Sequence, residues 1–272
     1  MTDVVARRGA SHEAVPLVMG IVNVTPDSFS DGGRFLTADA AIAHGLELLA
    51  EGAAVLDVGG ESTRPGAQPV DVDTELARVL PVVEALAEHG RVSIDTMKPE
   101  VARAAVAAGA TLINDVTASL WDVAADLGVG WIAMHMQGEP RTMQTAPHYD
   151  DVVEEVRSFL AERAATASAA GVEEIWIDPG FGFGKTDAHN LELLSSLDRI
   201  VELGWPVLVG TSRKAMLGRL LAASDGAADP VPVDDRLAGS IATQVWAMHL
   251  GASMIRAHDV RSAVQSAKVV AA

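Results

Sequence analysis

The amino-acid sequence predicts a (β/α)8 TIM barrel, and three observations support that fold class. Eight short apolar runs alternate with helical patterns along the chain, and each run has apolar or β-branched residues on both faces. Strands that are buried on both sides in a parallel sheet have this character. The chain has 272 residues, close to the size of about 250 that such barrels commonly have. Strict alternation predicts a parallel sheet and eight repeats predict closure, while an open doubly wound sheet is the alternative.

The predicted strands and helices follow one another in a regular order. The strands are Leu17–Val24, Val55–Gly60, Arg91–Met97, Thr111–Val116, Trp131–Met136, Glu174–Gly180, Trp205–Ser212 and Met254–Asp259. The segments between them place apolar residues at helical spacing, so that one stripe can face the sheet. These helices are Asp39–Glu51, Asp73–His89, Pro99–Ala108, Trp121–Leu127, Tyr149–Ala170, Asn190–Leu203, Asp234–Leu250 and Val260–Val270, with a short one starting near Arg213.

Composition and charge narrow the class of protein. No linker rich in proline or serine divides the chain, so we expect residues 1–272 to form one domain, with residues 1–14 as a flexible tail. A formal net charge of -17 argues against a nucleic-acid or anionic-lipid partner. The absence of cysteine excludes disulfides and a thiol nucleophile. We find neither a signal peptide nor a membrane-spanning run of about 20 apolar residues, and we expect a cytoplasmic protein.

Polar residues gather where the predicted strands end. In a barrel these ends, and the long connections 25–37, 61–72 and 137–148 that follow strands, lie on the face where active sites form. A single such residue is more often a helix cap or a structural hydrogen-bond partner. Many together indicate a ligand site, because each buried polar group without a partner costs about 1–3 kcal/mol. These residues are Asn23, Asp57, Glu61, Asp95, Asn114, Asp115, His135, Asp178, Ser212, Arg213, Lys214, Arg256, His258 and Asp259.

Some of these residue types suit a flat heterocycle. Asp95, Asn114 and Asp178 offer carboxylates and an amide for ring N–H and exocyclic amine groups. Lys214 can reach a carbonyl or ring nitrogen. The planar guanidinium of Arg256 can stack on an aromatic ring or fork onto a phosphate. The sequence therefore predicts a site for a polar ring inside the barrel.

Other residues predict a phosphate site beside it. Asn23, Arg256 and His258 could hold a phosphate together with a hard cation such as Mg²⁺, which keeps several waters. We find no His-x-x-His pattern and no dense group of carboxylates, which argues against zinc. Residues 210–214 end strand seven and open a helix, where backbone N–H groups can bind an anion. An ordinary helix cap by Ser212 explains that segment equally well.

Seven motifs occur in order over nearly the whole chain, from about Val18 to Val269. They are Met19–Gly33, Asp57–Gly66, Ser93–Thr96, Ile113–Asp115, Asp178–Lys185, Ser212–Lys214 and Arg256–Asp259. Together they resemble the motifs of the dihydropteroate synthases, a family of pterin-binding barrels. The resemblance implies a transferase of folate biosynthesis. Its substrates would be 6-hydroxymethyl-7,8-dihydropterin pyrophosphate and 4-aminobenzoate, and its products 7,8-dihydropteroate and pyrophosphate.

The resemblance also implies roles for single residues. The positions that match the family's pterin contacts are Asp95, Asn114, Asp178 and Lys214, with Arg256 stacking on the ring. Those that match the pyrophosphate and Mg²⁺ contacts are Asn23, Arg256 and His258, with Asn23 as the metal ligand. Those that match the aminobenzoate side are Thr63, Arg64, Pro65, Phe183, Ser212 and Lys214. The implied catalytic residues are Asp27, which belongs to a loop that closes over the reacting centre, Asp95 and Lys214.

The sequence departs from the family motifs at one position, and the resemblance also implies an oligomeric state. Ala215 follows Lys214, where members of the family often have a serine that can help hold the aminobenzoate carboxylate. This leaves the response to sulfonamide inhibitors open. The family also implies a homodimer through helices near the C-terminus. Gln244, Trp246 and Met248 are compatible with such an interface, although core packing explains them equally well.

Two other functions compete with the synthase reading. A pterin methyltransferase that passes a methyl group from a reduced folate to a corrinoid protein would share Asp95, Asn114 and Asp178. The loop motifs 25–33 and 62–66 argue against it. A non-catalytic pterin-binding paralogue would be expected to lose loop or phosphate residues. This chain retains Asn23, Asp27, Lys214, Arg256 and His258.

Overall fold

The fold is given by a computed structural model that describes residues 15–24, 34–63 and 66–272, with the backbone alone for residues 34–37. The strands are β1 (Leu17–Asn23), β2 (Val55–Gly59), β3 (Val92–Asp95), β4 (Leu112–Asp115), β5 (Gly130–Met134), β6 (Ile175–Asp178), β7 (Leu208–Val209) and β8 (Met254–Ala257). The helices are α1 (Arg34–Glu51), α2 (Val72–Ala87), α3 (Pro99–Ala107), α4 (Trp121–Leu127), α5 (Val152–Ala169), α6 (Asp187–Ser195), α7 (Leu197–Val201), α8 (Ala215–Asp225), α9 (Leu237–His249) and α10 (Val260–Val270).

The described strands form one parallel sheet that curves into a barrel, as the sequence predicts. Their order is β6-β5-β4-β3-β2-β1-β8-β7, so the first strand lies between the second and the last. The remaining seam, between β6 and β7, is joined by a bridge at Ile177 and Val207. There the Ile177 N–H donates to the Pro206 carbonyl at 3.0 Å. The open doubly wound sheet is thereby excluded.

Alternate residues of each strand face the barrel interior and the surrounding helices. The interior contains a cluster of buried apolar side chains, here called the floor: Met19, Val55, Leu112, Ile132, Trp176, Leu208 and Met254. Residues of the opposite parity, such as Leu56 and Ile255, belong to the larger core between strands and helices. Since side chains alternate along a strand, residues two positions after the floor lie directly above it.

The segment predicted as one helix, Asn190–Leu203, is two helices. The chain leaves the helical conformation at Ser196, where φ is -111° and ψ is 24°. The Ser195 hydroxyl donates to the Glu192 carbonyl, and serine hydroxyls compete in this way with the helical ladder. The start of α6 was missed, although Thr186 caps it with its side chain.

The residues considered for a dimer interface differ in their exposure on α9. Gln244 and Met248 on α9 are buried within the chain, so core packing accounts for both. Trp246 on the same helix is 51% exposed. None of the described helices combines the length and the apolar character needed to cross a bilayer.

Candidate active site

A layer of polar side chains lies directly above the floor. Its members come from five different strands, and each follows an inward-facing residue by two positions. They are Asp57, Asp95, Asn114, Asp178 and Arg256. The structure therefore gathers the residues that were predicted to hold a heterocycle. Asp115 and His135 have the opposite parity and are not part of this layer.

Asp57 joins three strands in this layer. Its Oδ2 accepts a hydrogen bond from Arg256 Nε at 2.6 Å and another from Asn114 Nδ2 at 2.9 Å. Arg256 Nη2 also donates to Asp95 Oδ2 at 2.9 Å. Asp57 is fully buried, and its second oxygen has no hydrogen-bond partner among the described residues. Because Asn114 turns its amino group to Asp57, its carbonyl oxygen is available as an acceptor for a ligand.

Asp57 was not predicted as a site residue, although it was noted among the polar strand residues. The observation that could have identified it is its position two residues after Val55, which places both side chains on the inward face of β2. The sequence alone does not show that Arg256 and Asn114 share this carboxylate, since those partners are 199 and 57 positions away.

Burial dominates the electrostatics of this layer. It raises the pKa of Asp95 to about 7, with a further contribution from the Asp57 carboxylate, which outweighs the opposing effect of Arg256. It also raises the pKa of Asp178, although the Gly180 N–H donates to that carboxylate at 2.8 Å. Burial opposes the charge on Arg256, yet Asp57 and Asp95 raise its pKa. The layer therefore holds a fixed cation beside a carboxyl group that can change protonation near neutral pH.

Lys214 and Phe183 form the side of the site next to β7. The Lys214 ammonium lies 4.2 Å from the centre of the Phe183 ring, in cation–π geometry. Lys214 directly precedes α8, and none of the described side chains caps that helix. The serine-cap explanation for Ser212 is therefore wrong, and the backbone N–H groups of the first turn have no acceptor among the described side chains.

Ser212 binds His258 instead. Its hydroxyl accepts the His258 backbone N–H at 3.1 Å and lies 3.0 Å from the Nδ1 of the ring. The next residue, Arg213, has a φ of 56°, in the left-handed region, and forms a two-point ion pair with Asp259 at 2.5 and 3.0 Å. The Arg213 N–H also donates to the Ser240 hydroxyl at 2.9 Å. These contacts fix the turn that carries Ser212 and Lys214.

The loop between β6 and α6, residues 179–186, encloses a lysine that was not predicted as a site residue. Lys185 is 1% exposed, and burial lowers its pKa to about 7. Its ammonium lies 2.9 Å from Nδ1 of His135. Burial and this lysine together lower the pKa of His135 to about 3, so the imidazole is neutral and can accept. The only sequence signal was the position of Lys185 at the end of a motif.

The loop after β2 rests on a charged network. Lys98 forms ion pairs with Glu61 at the start of the loop and with the fully buried Glu75 of α2. Glu61 also accepts the Val70 N–H at 3.1 Å, near the far end of the loop. Thr63 lies half-buried within it. The predicted residues Arg64 and Pro65 of this loop, and Asp27 of the first loop, lie outside the described residues.

The donor set for a metal ion is sparse. Within the described part of the chain, no group of three or more His, Asp or Glu side chains could hold a metal ion by itself. Asn23 is half-buried at the carboxyl end of β1, opposite Gly59 of β2. One amide oxygen suits Mg²⁺, which usually retains waters and binds substrate phosphates rather than an all-protein cage. The residues present therefore fit a cation that arrives with a phosphate.

Three comparisons identify the family. Residues 19–258 match the family model described as pterin binding enzyme. The dihydropteroate synthase of Mycobacterium leprae (strain TN) is 49% identical over 265 residues, which cover 94% of this chain and 92% of that protein.

Solved structures agree. The dihydropteroate synthase of Xanthomonas albilineans with 4-aminobenzoic acid superposes with a TM-score of 0.85 and 52% identity, covering 93% of this chain and 91% of that one. The enzyme of Yersinia pestis in a sulfonamide drug complex gives 0.85 and 44%, covering 94% and 93%. The barrel, its polar layer and these similarities lead to one conclusion: the chain belongs to the dihydropteroate synthase family of pterin-binding enzymes.

Proposed function

We propose that the chain condenses 6-hydroxymethyl-7,8-dihydropterin pyrophosphate with 4-aminobenzoate, with the residue roles that follow. The observation that carries the assignment is the polar layer above the floor, where Asp57 ties Arg256 and Asn114 together. A closed apolar floor with convergent acceptors and one planar cation suits a flat, polar ring. The 4-aminobenzoic acid in the Xanthomonas albilineans structure supports the second substrate of this assignment.

The pterin lies on the polar layer. Asp178 and Asp95 accept its amine and ring N–H groups, and Asn114 accepts through the oxygen that it turns away from Asp57. Arg256 stacks on the ring while Asp57 and Asp95 hold the edge of its guanidinium. Asp57 acts through Asn114 and Arg256, which makes it a positioning residue.

The pyrophosphate lies at the ends of β1 and β8. His258, held by Ser212, and Arg256 face its oxygens, and Asn23 supplies one ligand to Mg²⁺. A Mg²⁺ ion held there by Asn23 would supply positive charge to the pyrophosphate leaving group. Arg256 adds fixed positive charge where negative charge develops, and His258 faces the same oxygens with its ring.

The 4-aminobenzoate approaches from the mouth of the barrel. Thr63, Arg64, Pro65, Phe183 and Lys214 surround it, and its carboxylate faces the first turn of α8 at Ala215. The lone pair of its amine forms the new C–N bond to the pterin methylene carbon. The C–O bond to pyrophosphate breaks, its electron pair leaves with pyrophosphate, and the amine loses one proton to water. Asp27 and Asp95 stabilise the positive charge that develops on the pterin.

The localisation, oligomeric state and partners of the enzyme are part of the same proposal. It works in the cytoplasm as a homodimer, with small molecules as its only substrates and neither nucleic acid nor membrane as a partner. Trp246, half exposed on α9, supplies an apolar contact for the second copy.

Release of pyrophosphate tests the function directly. The protein is mixed with Mg²⁺ and the pterin pyrophosphate, with and without 4-aminobenzoate. The synthase should release pyrophosphate only when aminobenzoate is present, and a sulfonamide titration in the same assay measures inhibitor response. Pterin binding by a folded sample without such release would instead favour the paralogue. Methyl transfer from a reduced folate would favour the methyltransferase.

Further variants test single roles. Lys214→Ala should abolish turnover with little loss of stability, because the ammonium is required at the junction of the two substrates. Lys268→Met, which changes an exposed lysine of α10, serves as the control. Retained turnover in Lys214→Ala would remove Lys214 from the catalytic group.

A further inference from the structure

Lys185 is a buried cation for which the reaction described above has no use. Its ammonium donates to the Gly180 carbonyl at 3.0 Å, to the Phe183 carbonyl at 3.2 Å and to Nδ1 of His135 at 2.9 Å. A buried ammonium is unfavourable unless hydrogen bonds replace its water. Here the replacing acceptors are two peptide carbonyls of one loop and, just after β5, the ring of His135 and its carbonyl at 3.4 Å.

The loop is packed tightly around this lysine. Gly180 and Gly184 have φ values of 69° and 63°, and both lie against the chain that follows β5. A Cβ at Gly180 would lie 1.9 Å from the His135 carbonyl oxygen, and one at Gly184 would lie 2.3 Å from that of Gln137. Only glycine fits at these two positions, because the loop lies directly against the chain that follows β5. Tyr149 holds the next peptide, because its hydroxyl donates to the Gly184 carbonyl at 2.9 Å.

The same loop supplies two contacts of the active site. The Gly180 N–H donates to Asp178, and the Phe183 ring lies beneath the Lys214 ammonium. Asp178 belongs to β6 itself, so the strand holds it independently of the loop. Phe183 lies outside the strand: its N–H donates to the Gly180 carbonyl at 3.1 Å, and its own carbonyl is one of those that Lys185 binds. Loss of the buried ammonium would therefore release Phe183 more than Asp178.

We propose that Lys185 is a positioning residue that sets the 4-aminobenzoate side of the site, by fixing the peptide that places Phe183 beneath Lys214. The buried ammonium acts from inside the loop and touches neither substrate. The proposal rests on the proposed function, which assigns Phe183 and Lys214 to the aminobenzoate. It goes beyond that function in naming what holds them there.

Lys185→Met tests the proposal, because methionine has a similar length and an apolar tip. We expect the KM for 4-aminobenzoate to rise about tenfold or more, as for a lost hydrogen bond to a charged group. The Kd of the pterin, measured by calorimetry without aminobenzoate, should change less than about threefold. A lysine needed only for folding would lower the melting temperature and the active fraction, and would leave both constants unchanged. Lys268→Met is the matched control.

Tyr149→Phe provides a milder variant of the same loop. It removes one hydroxyl from the Gly184 carbonyl and leaves the ammonium in place. The KM for aminobenzoate should rise in the same direction and by less. This variant decides the question if Lys185→Met does not fold, since an unchanged KM would then contradict a role of the loop in placing Phe183.

The absence of cysteine permits a chemical rescue. Lys185→Cys carries a single thiol, which can be alkylated in denaturant with 2-bromoethylamine before refolding. The product has a side chain of lysine length with an ammonium, whereas 1-bromopropane gives the same length without charge. The aminoethyl form should recover the parent KM for aminobenzoate and the propyl form should not. Equal recovery by both forms, or an unchanged KM in Lys185→Met, would overturn the proposal.

A parent protein that is carried through the same cycle of unfolding and refolding is the reference for this rescue. Failure of the proposed function would show earlier and separately, as a parent protein without aminobenzoate-dependent release of pyrophosphate. If the parent protein is active and the Lys185 variants have the parent KM for aminobenzoate, the proposed function is supported and Lys185 has no part in it.

Discussion

Asp57 has a role that depends on its buried position and not on contact with the ring. Its Oδ2 accepts from both Arg256 and Asn114, which come from opposite sides of the barrel. A carboxylate that accepts two hydrogen bonds fixes both donors more strongly than neutral partners would. The orientation of the Asn114 amide, and with it the type of ligand atom that this residue can meet, is therefore set by a different strand.

Asp57→Asn should weaken pterin binding by about 10- to 100-fold, because the amide group of the new side chain opposes one of the two donors. Calorimetry with the pterin alone measures the change. Asp115→Asn is a matched control, since Asp115 is equally buried but accepts the N–H groups of Ser119 and Leu120 outside the site. It should lower the melting temperature and leave pterin affinity intact. Equal pterin affinity in the Asp57 variant and the parent would contradict the role of Asp57.

Asp95 makes the stability of the fold depend on pH. Burial and the Asp57 carboxylate raise its pKa to about 7 in the folded protein, while an unfolded chain has about 3.9. Between these values the folded state binds a proton that the unfolded state has released. Raising the pH through this window therefore lowers the free energy of unfolding. The contribution is complete below the unfolded pKa and is lost above the folded one.

Asp95→Asn should remove this slope. Urea denaturation at about pH 5 and about pH 7.5 should show a smaller loss of stability for the variant than for the parent. The same variant should bind the pterin much more weakly, by up to about 10⁴-fold, because a site built for hydrogen bonds rejects a mismatched partner. Identical pH slopes would show that Asp95 is ionised in the folded protein throughout this range.

At the scale of elements, the turn after β7 joins two parts of the site. Ser212 lies two residues before Lys214, yet its hydroxyl binds His258 at the end of β8. The family resemblance assigns Ser212 to the aminobenzoate side. The observed contact assigns it to the support of a residue on the pyrophosphate side, and the two assignments predict different kinetics.

Ser212→Ala should lower kcat/KM for the pterin pyrophosphate by about tenfold, because His258 loses the group that orients it. The KM for aminobenzoate should stay unchanged. Ser240→Ala removes the α9 hydroxyl that binds the Arg213 N–H of this turn, and it should not produce this pattern. A rise in the aminobenzoate KM of Ser212→Ala would support the assignment from the family instead.

Periodicity explains why the sequence predicts the elements well. Strands that are buried on both faces and helices with one apolar stripe leave distinct patterns, so the fold class and the order of eight strands were predicted correctly. The seventh strand, predicted over Trp205–Ser212, spans only Leu208–Val209. The break at Ser196 was not, because a serine hydroxyl that binds a backbone carbonyl leaves no trace in apolar spacing.

The site was predicted unevenly for a related reason. Residues predicted to meet a ligand lie in recognisable strand-end motifs, and Asp95, Asn114, Asp178 and Arg256 share one layer. Residues that act on those residues, such as Asp57 and Lys185, depend on pairings between distant strands. No local pattern reports such pairings.

At the scale of the whole molecule, the barrel is least continuous at one seam. The pair β1 and β2 is aligned over five residues, from Met19 opposite Val55 to Asn23 opposite Gly59, whereas β6 and β7 are joined at the bridge between Ile177 and Val207. Local opening of a fold begins where few hydrogen bonds must break together. The seam therefore separates Asp178 from the turn that carries Lys214.

Hydrogen exchange should reveal this seam. The Ile177 amide, which donates to the Pro206 carbonyl, should exchange about tenfold faster or more than the Leu56 amide, which donates to the Arg91 carbonyl between β2 and β3. Both are buried in strands, so solvent exposure does not distinguish them. Measurement by nuclear magnetic resonance in the folded protein makes the comparison, and equal protection would mean that the barrel opens only as a whole.

The closed floor has a kinetic consequence. Met19, Trp176 and the other apolar side chains beneath the polar layer block the lower end of the barrel, so among the described residues the site is closed at that end. With the pterin on that layer, any second reactant must pass above it and cannot reach the reacting carbon from below. The order of substrate addition is then a property of the architecture: the ring enters first, the arylamine follows, and the joined product has to leave by the way both came in.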